Sequence, residues 1–241
     1  VGEILFQALI AGLGTCLGAA AVLCLGRLQT RSLGFLLALA SGIMGSVIIL
    51  DLLPSSLRLG GPASCLVGFS SGLLIITLAD LLINKREYNN YSGQPSFLNM
   101  GYLIAIGIAL HDLPEGLAIA AGFSTPGSVG PVIALAIGLH NIPEGMATAA
   151  PLRAGGASAP RILAINAAVS IVTPLGTLLG LLLIQTTDAL ISILLAFAAG
   201  AMTYIVRDKL IPVSRNCSTV LFILGIMLGF IVMSCLKLFF E

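Results

Sequence analysis

The sequence contains no tryptophan, only two histidines and few charges: Asp, Glu, Lys and Arg make up 9% of its 241 residues. A soluble domain carries about 25% charged residues, so a water-exposed globule is excluded. The formal net charge of +1 and the absence of any basic cluster speak against a nucleic-acid partner. Five cysteines, Cys16, Cys24, Cys65, Cys217 and Cys235, show neither CxxC spacing nor even pairing. They read as small apolar residues on or near helices rather than as disulfide partners. An HExxH signature is also missing, and no obvious nucleophile stands near either histidine.

What the chain has in abundance is apolar sequence, 58% of residues, with a mean hydropathy of +1.10. A membrane helix needs roughly 20 such residues. Apolar runs between polar breaks give eight expected spans: Glu3–Leu25, Ser32–Leu53, Ala63–Ile83, Asn99–Phe123, Val129–Leu152, Arg161–Gln185, Ala189–Leu210 and Thr219–Leu236. The expectation is an all-α polytopic membrane protein, one integral membrane domain over residues 1–241, with the lipid bilayer as its partner. Val1 stands where an initiator methionine is expected, so the start of the chain is expected to be missing. No cleavable leader is called for, because the first span can itself direct insertion.

The segment HDLPEGLAIAA beginning at His111 recurs as HNIPEGMATAA at His140. Each copy sets His and Glu at i and i+4, which stacks them on one helical face. Pro114 and Pro143, one residue before each glutamate, cannot donate to the helix and leave the carbonyls of Leu110 and Leu139 without that partner. A single HxxxE is read as a satisfied buried pair. Two copies on antiparallel neighbours, each with Pro-Glu-Gly, point instead to a cage of imidazole and carboxylate around a cation. At 1.5 Å per residue, His111 and His140 lie roughly 15 Å into their spans, half of a ~30 Å hydrocarbon core. Asp112, Glu115 and Glu144 then sit near the midplane, where each carboxylate costs on the order of 3 kcal/mol unless neutralised. No Lys or Arg lies at that depth in any span, so a bound cation, a proton or both must supply the charge.

Two imidazoles with carboxylates suit Zn²⁺, Fe²⁺, Mn²⁺ or Cd²⁺ better than the oxygen-seeking Mg²⁺ and Ca²⁺. Met44, mid-span, either adds a thioether ligand or simply packs. Asn166, Ser170 and Thr173 form a polar stripe ahead of Pro174, which either lines the same cavity or hydrogen-bonds between helices. Asp51, Asp80 and Asp208 near span ends are candidates for ion entrance and exit, or for plain interfacial anchoring.

All basic residues except Arg58 and Lys237 fall on one side of the eight-span layout. The positive-inside rule then places both termini outside. LGTCLG at Leu13 is matched by LGTLLG at Leu175, LALASGIM ending at Met44 by LAFAAGAM ending at Met202, and GFSSG at Gly68 by GIMLG at Gly225. The matches keep their order, so spans one to three and six to eight form an inverted repeat around spans four and five. That plan recurs in transporters with midplane sites, although GxxxG segments also simply permit close helix packing.

These residues resemble the ZIP (Zrt/Irt-like) family of divalent metal transporters, in its prokaryotic form. HDLPEG and HNIPEG are similar to the family's fourth- and fifth-helix signatures, SGIM to its second-helix methionine segment and AFAAGAMTYIV to its seventh helix. The resemblance implies eight helices in a 3+2+3 arrangement, import of a divalent metal toward the cytosol by alternating access, a homodimer, and a bacterial plasma (inner) membrane location. It also implies Met44, His111, Asp112, Glu115, His140, Asn141 and Glu144 as ligands of the transported metal, with no further cofactor. Three departures stand out. Asp112 replaces a common Asn, Thr173 replaces a Glu before the proline, and the loop NKREYNNYSGQPSF lacks histidine. Two other classes compete with a transporter. An intramembrane metallohydrolase needs a metal-bound water and a general base; a cation channel would conduct without saturable uptake.

Overall fold

Inside hydrocarbon a backbone must satisfy its polar groups within its own segment, which for an open chain leaves the helix. The computed structural model describes residues 1–26, 29–84, 96–124, 129–182 and 188–240, and among them all regular structure is helical. The order is α1 (Gly2–Gly12), α2 (Gly14–Cys24), α3 (Thr30–Val47), a π-helical turn (Ile48–Leu52), α4 (Leu53–Asn84), α5 (Phe97–Ser124) and α6 (Val129–Ala154). Then follow α7 (Ala159–Ser170), α8 (Val172–Leu182), α9 (Asp188–Tyr204), a second π turn (Ile205–Leu210), α10 (Ile211–Ser214) and α11 (Thr219–Phe240). Among the described residues, six stretches are long and apolar enough to cross a membrane, namely Gly2–Cys24, Thr30–Ile83, Phe97–Ser124, Ala159–Leu182, Asp188–Ser214 and Thr219–Phe239. With α6 at 26 residues beside them, the architecture is that of an all-helical, polytopic membrane protein. Large apolar side chains such as Leu66, Leu74, Leu82, Leu182 and Leu238 are exposed on its outside, as a lipid-facing surface requires.

The second and third expected spans are joined more closely than the sequence suggests. Helix continues past Pro54, and the break comes at Gly61, with φ 72° and ψ −176° just before Pro62. Only glycine takes that backbone conformation without strain. Pro54 is tolerated because it follows the π turn, where the regular i to i−4 ladder is already interrupted. Pro212 stands in the same relation to the second π turn. Arg27, Lys85, Arg86, most of the NKREYNNYSGQPSF loop and the end of the sixth span at Gln185 lie outside the described residues.

The helices pack in two groups. In one, α2 lies against α6, α8 against α5, and α5 against α6; in the other, α3 lies against α11 and α4 against α9. The glycine motifs lie at these contacts. Gly14 and Gly18 of LGTCLG abut Gly138 and Ile142 of α6, while Gly176 and Gly180 of LGTLLG abut Leu113 and Leu117 of α5. Likewise Gly225 and Gly229 of α11 face Ala38 and Leu39 of α3, and Gly68 and Gly72 of α4 face Ala196 and Phe197 of α9. Lipid offers no hydrophobic drive for helix association, so small residues matter because they let backbones approach. The main apolar core, including Leu37, Met44, Ile104, Ile108 and Met202, lies where the two groups meet.

Candidate metal centre

Helices α5 and α6 run unbroken through Pro114 and Pro143, so the i, i+4 stacking of each HxxxE is realised. Their close packing turns the two faces toward each other. The Nε2 of His111 lies 2.7 Å from Oε1 of Glu115 on its own helix and 3.5 Å from Oε1 of Glu144 on the other. The Nε2 of His140 lies 2.5 Å from the same Glu115 oxygen. Glu115 therefore bridges both imidazoles, whose ring centroids are 6.3 Å apart. Nitrogen and oxygen atoms of His111, His140 and Glu144 all fall within 4.8 Å of one another, close enough to share one ion.

All of these side chains are buried. Both oxygens of Asp112 and of Glu144, Oε2 of Glu115, and Nδ1 of both histidines have no hydrogen-bond partner. Among the described residues, no Lys or Arg pairs with Glu115, Glu144 or Asp112. A buried, unpartnered polar group costs about 1–3 kcal/mol and a charge more, and His111, His140 and Glu144 could offset that cost by holding a cation. Three carboxylates and two imidazoles match the ligand chemistry of Zn²⁺ and its neighbours.

The remaining expected site residues are placed unequally. Asp112 is buried on α5, with the Thr173 hydroxyl beside it. Asn141 donates from Nδ2 to the Ala11 carbonyl at 3.1 Å, tying α6 to α1, and leaves its Oδ1 buried and unpartnered. Met44 is buried in the main apolar cluster on α3, the helix of the other group that packs against α6. The polar stripe of the sixth span divides. Ser170 is an interhelical hydrogen-bonding residue, with its hydroxyl 2.6 Å from that of Thr15, whereas Thr173 lies beside Asp112. Asn166 is anchored to the Ile162 carbonyl, with Oδ1 left over.

Some partners were not foreseen. Thr15 bonds the Gly12 carbonyl and reaches that of Asn166, and Thr177 bonds that of Thr173. Both threonines occupy the LGT motif of the repeat, so the signal was present. Asp80 accepts from Lys209 at 2.6 Å and from the Tyr204 hydroxyl at 2.5 Å, so it braces α4 against α9 and the second π turn. A cavity of about 320 Å³ lies between the two helix groups, lined at one end by Glu115, His140 and Pro114 and at the other by Asp51, Ser55 and Lys237. It connects the cluster with the Asp51–Lys237 pair, where the Asp51 side chain is exposed.

Comparison with known proteins gives a consistent picture. Residues 87–237 match the family model described as ZIP Zinc transporter. The chain is 32% identical to the zinc transporter GufA of Myxococcus xanthus over 249 aligned residues, covering 96% of each chain. It is 30% identical to the zinc transporter ZupT of Chlorobium chlorochromatii, covering 98% of this chain and 96% of that one. With ZupT of Corynebacterium glutamicum the identity is 32%, over 88% and 87% of the two chains.

Proposed function

Because this chain belongs to the ZIP zinc transporter family, we propose that it carries a divalent transition metal, zinc foremost, across the membrane toward the cytosol by alternating access. The single observation that carries this reading is the buried His111–Glu115–His140–Glu144 cluster, rich in unsatisfied acceptors and, among the described residues, without a Lys or Arg to neutralise it. His111, Glu115, His140 and Glu144 hold the metal; Asp112, Asn141 and Met44 complete or flank its coordination. Membership in a transporter family sets the hydrolase reading aside.

The proposed frame is a single domain of eight spans in a 3+2+3 arrangement, with the kinked Thr30–Ile83 stretch counted as two. Spans one to three and six to eight form an inverted repeat, and the reciprocal glycine contacts support it. The basic-residue bias supports termini outside a bacterial plasma membrane, which places the Asp51–Lys237 end of the cavity on the outer side. Alternating access then amounts to rigid-body movement of the α5–α6 group against the α3–α4–α9–α11 group around the site. Two copies are expected to associate as a homodimer.

Zinc uptake into liposomes containing the purified protein tests the site. Glu115→Gln and His140→Ala should each reduce uptake at least tenfold, because a neighbouring residue cannot supply a replacement ligand from a fixed helix position. Wild-type uptake by both variants, at equal protein incorporation, would remove the cluster from the transport path.

A further inference from the structure

The mouth of the cavity carries a feature that cation transport alone does not call for, a lysine. Lys237, in the last turn of α11, donates to the Leu50 carbonyl at 2.5 Å. Its ammonium lies 3.7 Å from Oδ1 of Asp51. Leu50 can accept because Pro54, four residues on, has no N–H to give it. Asp51 and Lys237 both line the cavity whose other end is Glu115 and His140. A fixed positive charge beside a cation's path repels it, whereas a carboxylate there attracts it.

We propose that Lys237 is a tethered counter-ion which an arriving divalent metal displaces from Asp51, so that this pair governs capture of the metal at the cavity mouth. The inference rests on the transport reading of the His/Glu cluster given above. Two observations support it. The pair is loose and wet, with the Asp51 side chain 54% exposed; such a pair contributes little and exchanges readily. Its counterpart in the other half of the sequence repeat differs. Asp80 and Lys209 join α4 to the second π turn as Asp51 and Lys237 join the first π turn to α11, with the charges exchanged between the elements. That second pair closes to 2.6 Å, is only 12–18% exposed, and is braced by Tyr204. One ion pair is a staple. The other, at the cavity, is built to open.

The competition sets opposite signs for the two partners. Loss of the ammonium frees Asp51 and removes repulsion of a divalent ion, worth about fivefold in local attraction at a separation near 8 Å in water. Loss of the carboxylate removes the attraction at the mouth and keeps the repulsion of the ammonium. The test is the initial rate of Zn²⁺ uptake by intact full-length protein in liposomes, with KM and Vmax measured at low salt and at about 1 M salt, where the Debye length is about 3 Å. Lys237→Gln should lower KM about threefold to tenfold at low salt, and Asp51→Asn should raise it by a similar factor. The double variant should fall between them, Lys237→Arg should resemble wild type, and all differences should shrink at high salt. Unchanged KM in both single variants, or a rise in both that persists at high salt as packing damage would produce, overturns the proposal. Glu115→Gln run alongside separates the two levels. If it is inactive while the mouth variants keep wild-type KM, only the capture role falls; if it transports normally, the reading of the site falls first.

Discussion

Gly145 follows Glu144 directly, and a β-carbon placed on it would run into the backbone carbonyl of Thr15 on α2, with the Thr15 Cα at 2.7 Å. The obstacle is backbone on both sides, so no rotamer change relieves it. Helices α2 and α6 must separate by roughly 1 Å or more to admit a methyl group, and overpacking of this kind costs about 1–3 kcal/mol. For a chain of this length each kcal/mol moves the unfolding midpoint by about 2–4 °C. The functional consequence is larger, since ligand distances in a metal site must hold to within about 0.2 Å and Glu144 travels with Gly145. Gly145→Ala is therefore expected to lower the midpoint in detergent by several degrees and to cut zinc uptake more than tenfold. Gly116→Ala, which follows Glu115 and would meet the Thr173 carbonyl and the Thr177 amide, should do the same from the other half of the repeat. Gly45→Ala supplies the contrast, because nothing lies within 4 Å of its added carbon and helix propensity favours alanine by about 1 kcal/mol. Wild-type midpoint and uptake in Gly145→Ala would refute the claim that this backbone approach sets the position of the ligand helix.

Other outcomes follow from the same geometry. Thr173→Glu should add a second tight metal per chain by calorimetric titration where the native protein binds one, since a carboxylate beside Asp112 supplies the anionic ligand that a hydroxyl lacks; two equally tight metals in the native protein would make the threonine irrelevant. Asp80→Asn should destabilise the fold by about 1–3 kcal/mol, below the 3–5 kcal/mol of a fully buried broken pair because the site is partly solvated, seen as a lower midpoint with KM for zinc unmoved. Zinc at a hundredfold its Kd should stabilise the native protein by about 2.7 kcal/mol, and Glu115→Gln should abolish most of that shift. Single cysteines at Ser92 and Gly156 in a cysteine-free background should react only from the cytosolic side; labelling of both by an impermeant reagent outside intact cells would reverse the proposed orientation.

The sequence by itself determined the membrane class, the helical content and which residues the proposed centre draws on. Composition decides the solvent a chain can live in, and an HxxxE spacing on a helix stacks its two side chains wherever that helix goes. His111 with Glu115, and His140 with Glu144, were legible for that reason, as were the glycine motifs that let the helices close. What lay beyond the sequence was which copy's glutamate serves which histidine. Glu115 bridges both rings, and that follows from the separation and rotation of α5 against α6, which the glycines of α2 and α8 set from outside the motif. The fate of the polar stripe was likewise a tertiary matter. Ser170 turns to Thr15 and Thr173 to Asp112 because α7 and α8 lie between two neighbours, and a one-dimensional pattern cannot say which neighbour each face meets. Asp51 and Asp80 read alike in the sequence as carboxylates near span ends. Only packing gave one of them a braced lysine and the other a loose lysine at an open cavity, because ion pairing depends on distances between segments far apart along the chain.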